Sequence, residues 1–166
     1  MDEKLTLIPA EKRWEIATKG LTGAYMACAI ALREAIGDER YKVFTQRLWG
    51  MAGARSKELA DSMGLKVDDA KGINQAALTL AVTSMGPEFE FQEVEANENK
   101  TVVRTAKCPW HERAKELGAP DNLCAYAHQQ WGDSVVKSLN PKFSFTLTNS
   151  MSEGSPYCEW VIEQKI

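Results

Sequence analysis

The chain has 166 residues, 44 % of them hydrophobic and 26 % charged, the balance of an ordinary globular protein, which excludes a disordered chain and a fibrous repeat. Twenty Lys and Arg stand against 23 Asp and Glu, a net charge of −3 with the basic residues scattered, so neither nucleic acid nor an anionic membrane is offered a surface. The length suits one domain, 1–166, with a helical half over 1–86 and a sheet-and-helix half over 87–166.

Residues 1–4, Met-Asp-Glu-Lys, lead into no basic and apolar signal, and the longest apolar run, 24–32, is nine residues, too short to cross roughly 30 Å of hydrocarbon as a helix. The expectation is a cytoplasmic protein in which Cys28, Cys108, Cys124 and Cys158 remain thiols. No phosphate-cradling glycine loop or dinucleotide fingerprint is present, so no nucleotide cofactor is expected.

From Pro9 to Ile36, apolar residues recur at helical spacing through Trp14, Ile16, Leu21, Tyr25, Cys28 and Leu32, and Gly37 ends the run. Asp38 is positioned to cap a second helix through Tyr41, Phe44, Leu48, Met51 and Leu59 to Gly64, with Gly50 and Gly53 as weak points in its middle. The two helices form a hairpin, packed by Trp14 and Trp49, whose apolar width also suits a homodimer contact. A third helix starts at Asp68 or Asp69 and closes at Gly86-Pro87.

Beyond Pro87 the period becomes two. Phe89 and Phe91 alternate with Glu88, Glu90 and Gln92, and residues 97–100 turn the chain into a second strand over 101–105. Helical stretches over 111–117 and 122–139 follow, separated by Pro120 and stopped at Asn140-Pro141. A strictly alternating strand over 142–148 and a last strand over 157–164 complete the chain. The pattern predicts an α+β fold: an N-terminal helical hairpin plus a third helix, then a four-stranded antiparallel sheet with helices inserted between strands 2 and 3.

The chemistry-bearing residues gather in the last third. Cys108 and His111 form C-x2-H; Cys124 and His128 form C-x3-H, a spacing that puts thiol and imidazole on one helix face; Cys158 adds a third sulfur. Zinc takes four such ligands in a closed site or three plus water in a catalytic one, and an iron-sulfur cluster uses similar donors, so Cys108, Cys124, Cys158, His111 and His128 are candidate metal ligands. The competing reading packs each cysteine as a small buried hydrophobe, and this is the expectation for Cys28 on an apolar helix face.

A nucleophilic reading uses the same residues: Cys108 opens a helical turn whose free N–H groups lower a thiol pKa, with His128 or His111 as base and Glu112 moving a proton. Trp110, Trp131 and Trp160 lie within three positions of these residues and can wall a cofactor or flat ligand, although aromatic core is the plainer use. Met26, Met51, Met63 and Met85 are candidates for an adaptable pocket lining or for core.

The run Arg104-Thr105-Ala106-Lys107-Cys108-Pro109-Trp110, then Pro120 with Cys124, Asn140-Pro141, and Gly154 with Cys158-Glu159-Trp160, resembles the L-2-amino-thiazoline-4-carboxylic acid hydrolase-like family, itself similar to 4-vinyl-reductase and TRAPP-type ligand-binding domains. The resemblance covers roughly residues 100–166, and Cys108, Cys124 and Cys158 match its cysteine positions. It implies helices packed on an antiparallel sheet, a small-molecule pocket and, for the named hydrolase, ring-opening attack on the amidine-like carbon of a thiazoline. The leading expectation is a hydrolase with a thiolate metal or nucleophile site beside an apolar pocket. Its rival is a non-catalytic ligand-binding or sensor domain whose cysteines hold a structural metal or cluster.

Overall fold

The computed structural model describes residues 7–120 and 123–166. Four helices come first: α1 (Ala10–Ile36), α2 (Asp38–Gly53), α3 (Ser56–Ser62) and α4 (Ala70–Met85). The hairpin β1 (Glu90–Ala96) and β2 (Lys100–Lys107) follows, then α5 (Pro109–Glu116) and α6 (Ala125–Leu139), and finally β3 (Phe143–Asn149) and β4 (Cys158–Gln164). The sheet order is β1-β2-β4-β3, antiparallel throughout, so the α+β architecture with helices between strands 2 and 3 is the one observed. The predicted helix start at Asn122 lies outside the described residues.

Period-two burial puts Val103 and Thr105 of β2, Phe145 of β3 and Cys158, Trp160 and Ile162 of β4 on the sheet face that α4 and α6 cover. The register sets Thr105 opposite both Phe91 and Cys158, and Trp160 opposite Val103 and Leu147. On the opposite, solvated face, Arg104 pairs with Glu159 at 2.7 Å. A second apolar cluster joins α1, α2 and α5 through Met26, Tyr41, Trp110 and Leu123.

Local chemistry explains the helix ends. Asp69 caps α4, its Oδ1 accepting from the Gly72 N–H at 2.7 Å. Gly86, at φ 102°, stops that helix in the left-handed region that favours glycine. Asp38 does not cap α2: Gly37 holds the cap position, and Asp38 instead accepts from Arg33 Nε at 2.6 Å.

The second predicted helix is two helices, broken after Gly53. The break falls at one of the two predicted weak points, and Gly50 and Gly53 also make the contact with α6. A Cβ on Gly53 would lie 2.5 Å from Ser134 Cβ, and Ser134 Oγ donates to the Gly50 carbonyl at 2.5 Å.

In α1 the buried positions are Thr18, Thr22, Met26 and Ala29, while Ile16 and Leu21 are exposed, so the inward stripe differs from the hydrophobic one. The threonines tolerate burial because each hydroxyl bonds the carbonyl four residues earlier, Thr18 to Trp14 and Thr22 to Thr18, both at 2.8 Å. Cys28, two positions past Met26 and hence about 200° round the helix, is exposed rather than buried. Trp14 packs toward α4, donating to the Thr83 carbonyl at 3.1 Å, whereas Trp49 does join α1 to α2 through Tyr25. No helix among the described residues is long and apolar enough to cross a membrane.

Candidate functional site

Between the two apolar clusters lies a cavity of about 300 Å³. Its walls come from α1 (Tyr25), α2 (Trp49), α4 (Ala77, Ala81), β1 (Phe91) and the cover of the sheet, closed by α5 and α6. Leu21, exposed yet part of the lining, marks where the cavity meets solvent.

The aromatic residues form two ring clusters, both on the cavity lining. Trp110 sits 4.4 Å from Tyr25 and 4.9 Å from Trp49 between ring centroids, and Trp160 meets Phe91 at 6.1 Å and His128 at 5.5 Å. Trp131 also lines the space. Gly132 lets α6 lie against the Phe145 ring, with which any Cβ there would collide.

Cys108, Cys124, Cys158, His111 and His128 all line this cavity. Each arrives on a different element end: Cys108 just before α5, with Pro109 in its first turn, Cys124 just before α6, and Cys158 at the start of β4. His128 follows Cys124 by one helical turn, its N–H bonded to the Cys124 carbonyl at 2.9 Å. Glu112 acts on Cys108 and His111 only through its charge. It does not line the cavity, and its carboxylate lies 3.6 Å from Lys115 Nζ on α5.

Burial decides the electrostatics. The Trp110 and His111 N–H groups do reach the Cys108 sulfur and favour the thiolate, as expected at a helix start, yet loss of water outweighs them and pushes the thiol up to about 11. Burial raises Cys124 well above the ordinary thiol range, with Cys108 and Cys158 adding to the rise. Cys158 is raised by burial too, partly offset by the Met151 N–H donated at 3.3 Å. His128 is lowered to about 4 by burial alone, and His111 is lowered by burial and then by Lys115. Near neutral pH the site therefore holds protonated thiols and neutral imidazoles, and no Asp, Glu, Lys or Arg is among its described lining residues.

Among the described residues no group of three or more His, Cys, Asp or Glu is arranged to hold an ion. The three sulfurs line one cavity and perturb one another. Of the methionines, Met85 lines the cavity, Met26 is core, and Met51 and Met63 are exposed. Met151 lines it as well. It sits in a single 3₁₀ turn after β3, where no periodic pattern could have marked it. Thr105 was likewise missed, although its place on the inward face of β2 follows from alternation.

Solved structures share this fold. The phenol-responsive sensory domain of the transcription activator PoxR, determined with phenol, superposes with a TM-score of 0.62 at 15 % identity, over 86 % of this chain and 74 % of that one. Trafficking protein particle complex subunit 3 from Naegleria fowleri, covalently bound to palmitic acid, also gives a TM-score of 0.62, at 12 % identity over 91 % of this chain and 96 % of that one. No curated protein sequence matches. The family model of L-2-amino-thiazoline-4-carboxylic acid hydrolase matches residues 19–161, a span holding every described cavity-lining residue from Leu21 to Trp160, and the chain belongs to that family.

Proposed function

We propose that this protein binds an uncharged, flat, largely apolar small molecule in the cavity between the sheet and α1, α5 and α6, as a ligand-binding domain. The observation that carries this reading is the lining itself: two aromatic clusters, thiols held protonated, and no Asp, Glu, Lys or Arg among the described lining residues. Such a surface rewards apolar contact area and gives a carboxylate no cation, so a charged ligand would enter only with its desolvation cost uncompensated. The fold shared with a phenol-responsive sensory domain and a palmitate-bound subunit agrees with ligand occupancy.

Hydrolysis is a second reading, favoured by the family description and by Cys108 and His128 lining one cavity. In it the Cys108 sulfur attacks the ring carbon, His128 takes the thiol proton and returns it to the nitrogen as the carbon–nitrogen bond breaks, and water then cleaves the carbon–sulfur bond to release the product and restore the thiol. The thiol at about 11 and the imidazole at about 4 are poorly matched for that transfer at neutral pH. The named substrate also carries a carboxylate that the lining does not pair.

A matched pair of probes separates the readings. 2-Acetylnaphthalene and 2-naphthoate have nearly the same shape and differ in charge. The neutral ketone is expected to quench the fluorescence of the lining tryptophans and raise Tm, with the carboxylate at least tenfold weaker. Equal affinity for the carboxylate, together with turnover of 2-amino-thiazoline-4-carboxylate, would replace the binding reading with the catalytic one.

A further inference from the structure

The 27 residues of α1 carry two stripes. The inward one is Thr18, Thr22, Met26 and Ala29. The outward one is Ala17, Leu21, Ala24, Cys28, Ala31 and Ala35, each of them exposed in the protomer. Their spacing alternates four and three, the seven-residue repeat by which one helix presents a seam to another. A solvated helix face is normally polar. Here the apolar repeat faces out while two threonines face in, so the protomer's own core does not use the seam.

Charge narrows what can lie on it. Glu15, Lys19 and Arg33 sit about 120° or more round the helix from every seam residue, which leaves the seam uncharged from Ala17 to Ala35. At one end Arg13 continues the repeat, four positions before Ala17, and at the other Glu34 adjoins Ala35. Both are exposed, and neither forms an ion pair among the described residues. Ala24 is midway between Arg13 and Ala35. A second α1 laid antiparallel about Ala24 therefore sets Arg13 of each copy beside Glu34 of the other, Ala17 against Ala31, and Ala24 against itself. A parallel partner would put Arg13 on Arg13 and Glu34 on Glu34. Alanines along the seam let two such helices approach to about 8 Å, the short end of the usual range.

We infer that α1 is the two-fold interface of a homodimer, its outward seam packed antiparallel on the same seam of a second copy. The seam is complementary to itself in shape and in charge, which a two-fold contact requires. One helix pair is a small contact, below the roughly 1,200 Å² of standard interfaces, so the dimer is reversible and forms as concentration rises. This association goes beyond the binding reading and does not depend on it.

Sedimentation equilibrium of the full chain over a concentration series should show a monomer–dimer equilibrium. Ala24→Glu should weaken it at least about tenfold, because two carboxylates then face each other at the axis. Ala24 is exposed in the protomer, so the dilute variant should keep the helical circular dichroism and Tm of wild type. Charge reversal reads the register: Arg13→Glu and Glu34→Arg should each weaken association about threefold, and the double variant should restore it. In a Cys28→Ser background, Ala24→Cys should join two copies under oxidised glutathione, whereas Lys19→Cys, off the seam, should not. A chain that stays monomeric throughout the series, or a dimer indifferent to Ala24→Glu, overturns the proposal, and so does a double charge reversal that fails to restore association.

Discussion

At the scale of single residues, the environment of a group outweighs its chemical identity. His128 is an imidazole one turn from a thiol, a pattern that suggests catalysis or metal binding, but its ring is set among Trp160 and Phe145 and its pKa is lowered to about 4. The unfolded chain takes up a proton near pH 6.5, and the folded chain does so only near 4. Between those values the unfolded state therefore binds more protons, and stability falls as pH drops. The shift corresponds to roughly 3 kcal/mol lost from pH 7 to pH 4 at this one site. Urea midpoints measured across that range should decline steeply for wild type and less so for His128→Phe. Equal slopes would mean that the imidazole is solvated. The same balance rules Cys108, where two backbone N–H groups that should activate the sulfur are outweighed by burial. Residue type and spacing marked these groups as candidates, but their protonation states depend on water exclusion by elements distant in sequence.

At the scale of elements, close approach rather than apolar periodicity determines how the helices pack. Gly53 of α2 meets Ser134 of α6, and Gly132 of α6 meets Phe145 of β3. A three-layer stack, helix on helix on sheet, is thus held at short spacing by two glycines. Intrinsic propensity would favour Gly132→Ala by about 1 kcal/mol. The collision with the Phe145 ring reverses that sign, and a net loss of about 1–3 kcal/mol is expected from overpacking, read as a lower urea midpoint with unchanged m. Gly20→Ala, in open space on α1, is the control and should gain stability. Element types were legible in the sequence because alternation and capping are local: Asp69, Gly86 and the 97–100 turn all lie where the chain pattern puts them. The inward face of α1 was not, since Thr18 and Thr22 read as polar until their back-bonded hydroxyls are seen.

For the molecule as a whole, the cavity is the seam between two apolar clusters that each pack well but do not fill the space between them. If that space serves a ligand, filling it should trade function for stability. Ala81→Leu, on the α4 wall, is expected to keep or raise Tm while weakening 2-acetylnaphthalene at least tenfold. A saturating probe, at about 100 times its Kd, should stabilise wild type by about 2.7 kcal/mol and the filled variant far less. Denaturant titrations with and without probe make the comparison, and equal stabilisation of both proteins would place the bound molecule elsewhere.

The amino-acid sequence by itself determined the run of helices and strands apart from the break between α2 and α3, the antiparallel sheet and the family, because periodicity, turn residues and motif spacing are properties of neighbouring positions. It also marked Cys108, Cys124, Cys158, His111 and His128, the residues brought to one cavity. Only the tertiary structure decided what that gathering amounts to. The sulfurs share a cavity without forming, among the described residues, a group arranged to hold an ion, desolvation depends on everything packed around a group, and an unpaired hydroxyl such as that of Thr105 is defined by partners missing among all the described residues rather than by the residues beside it.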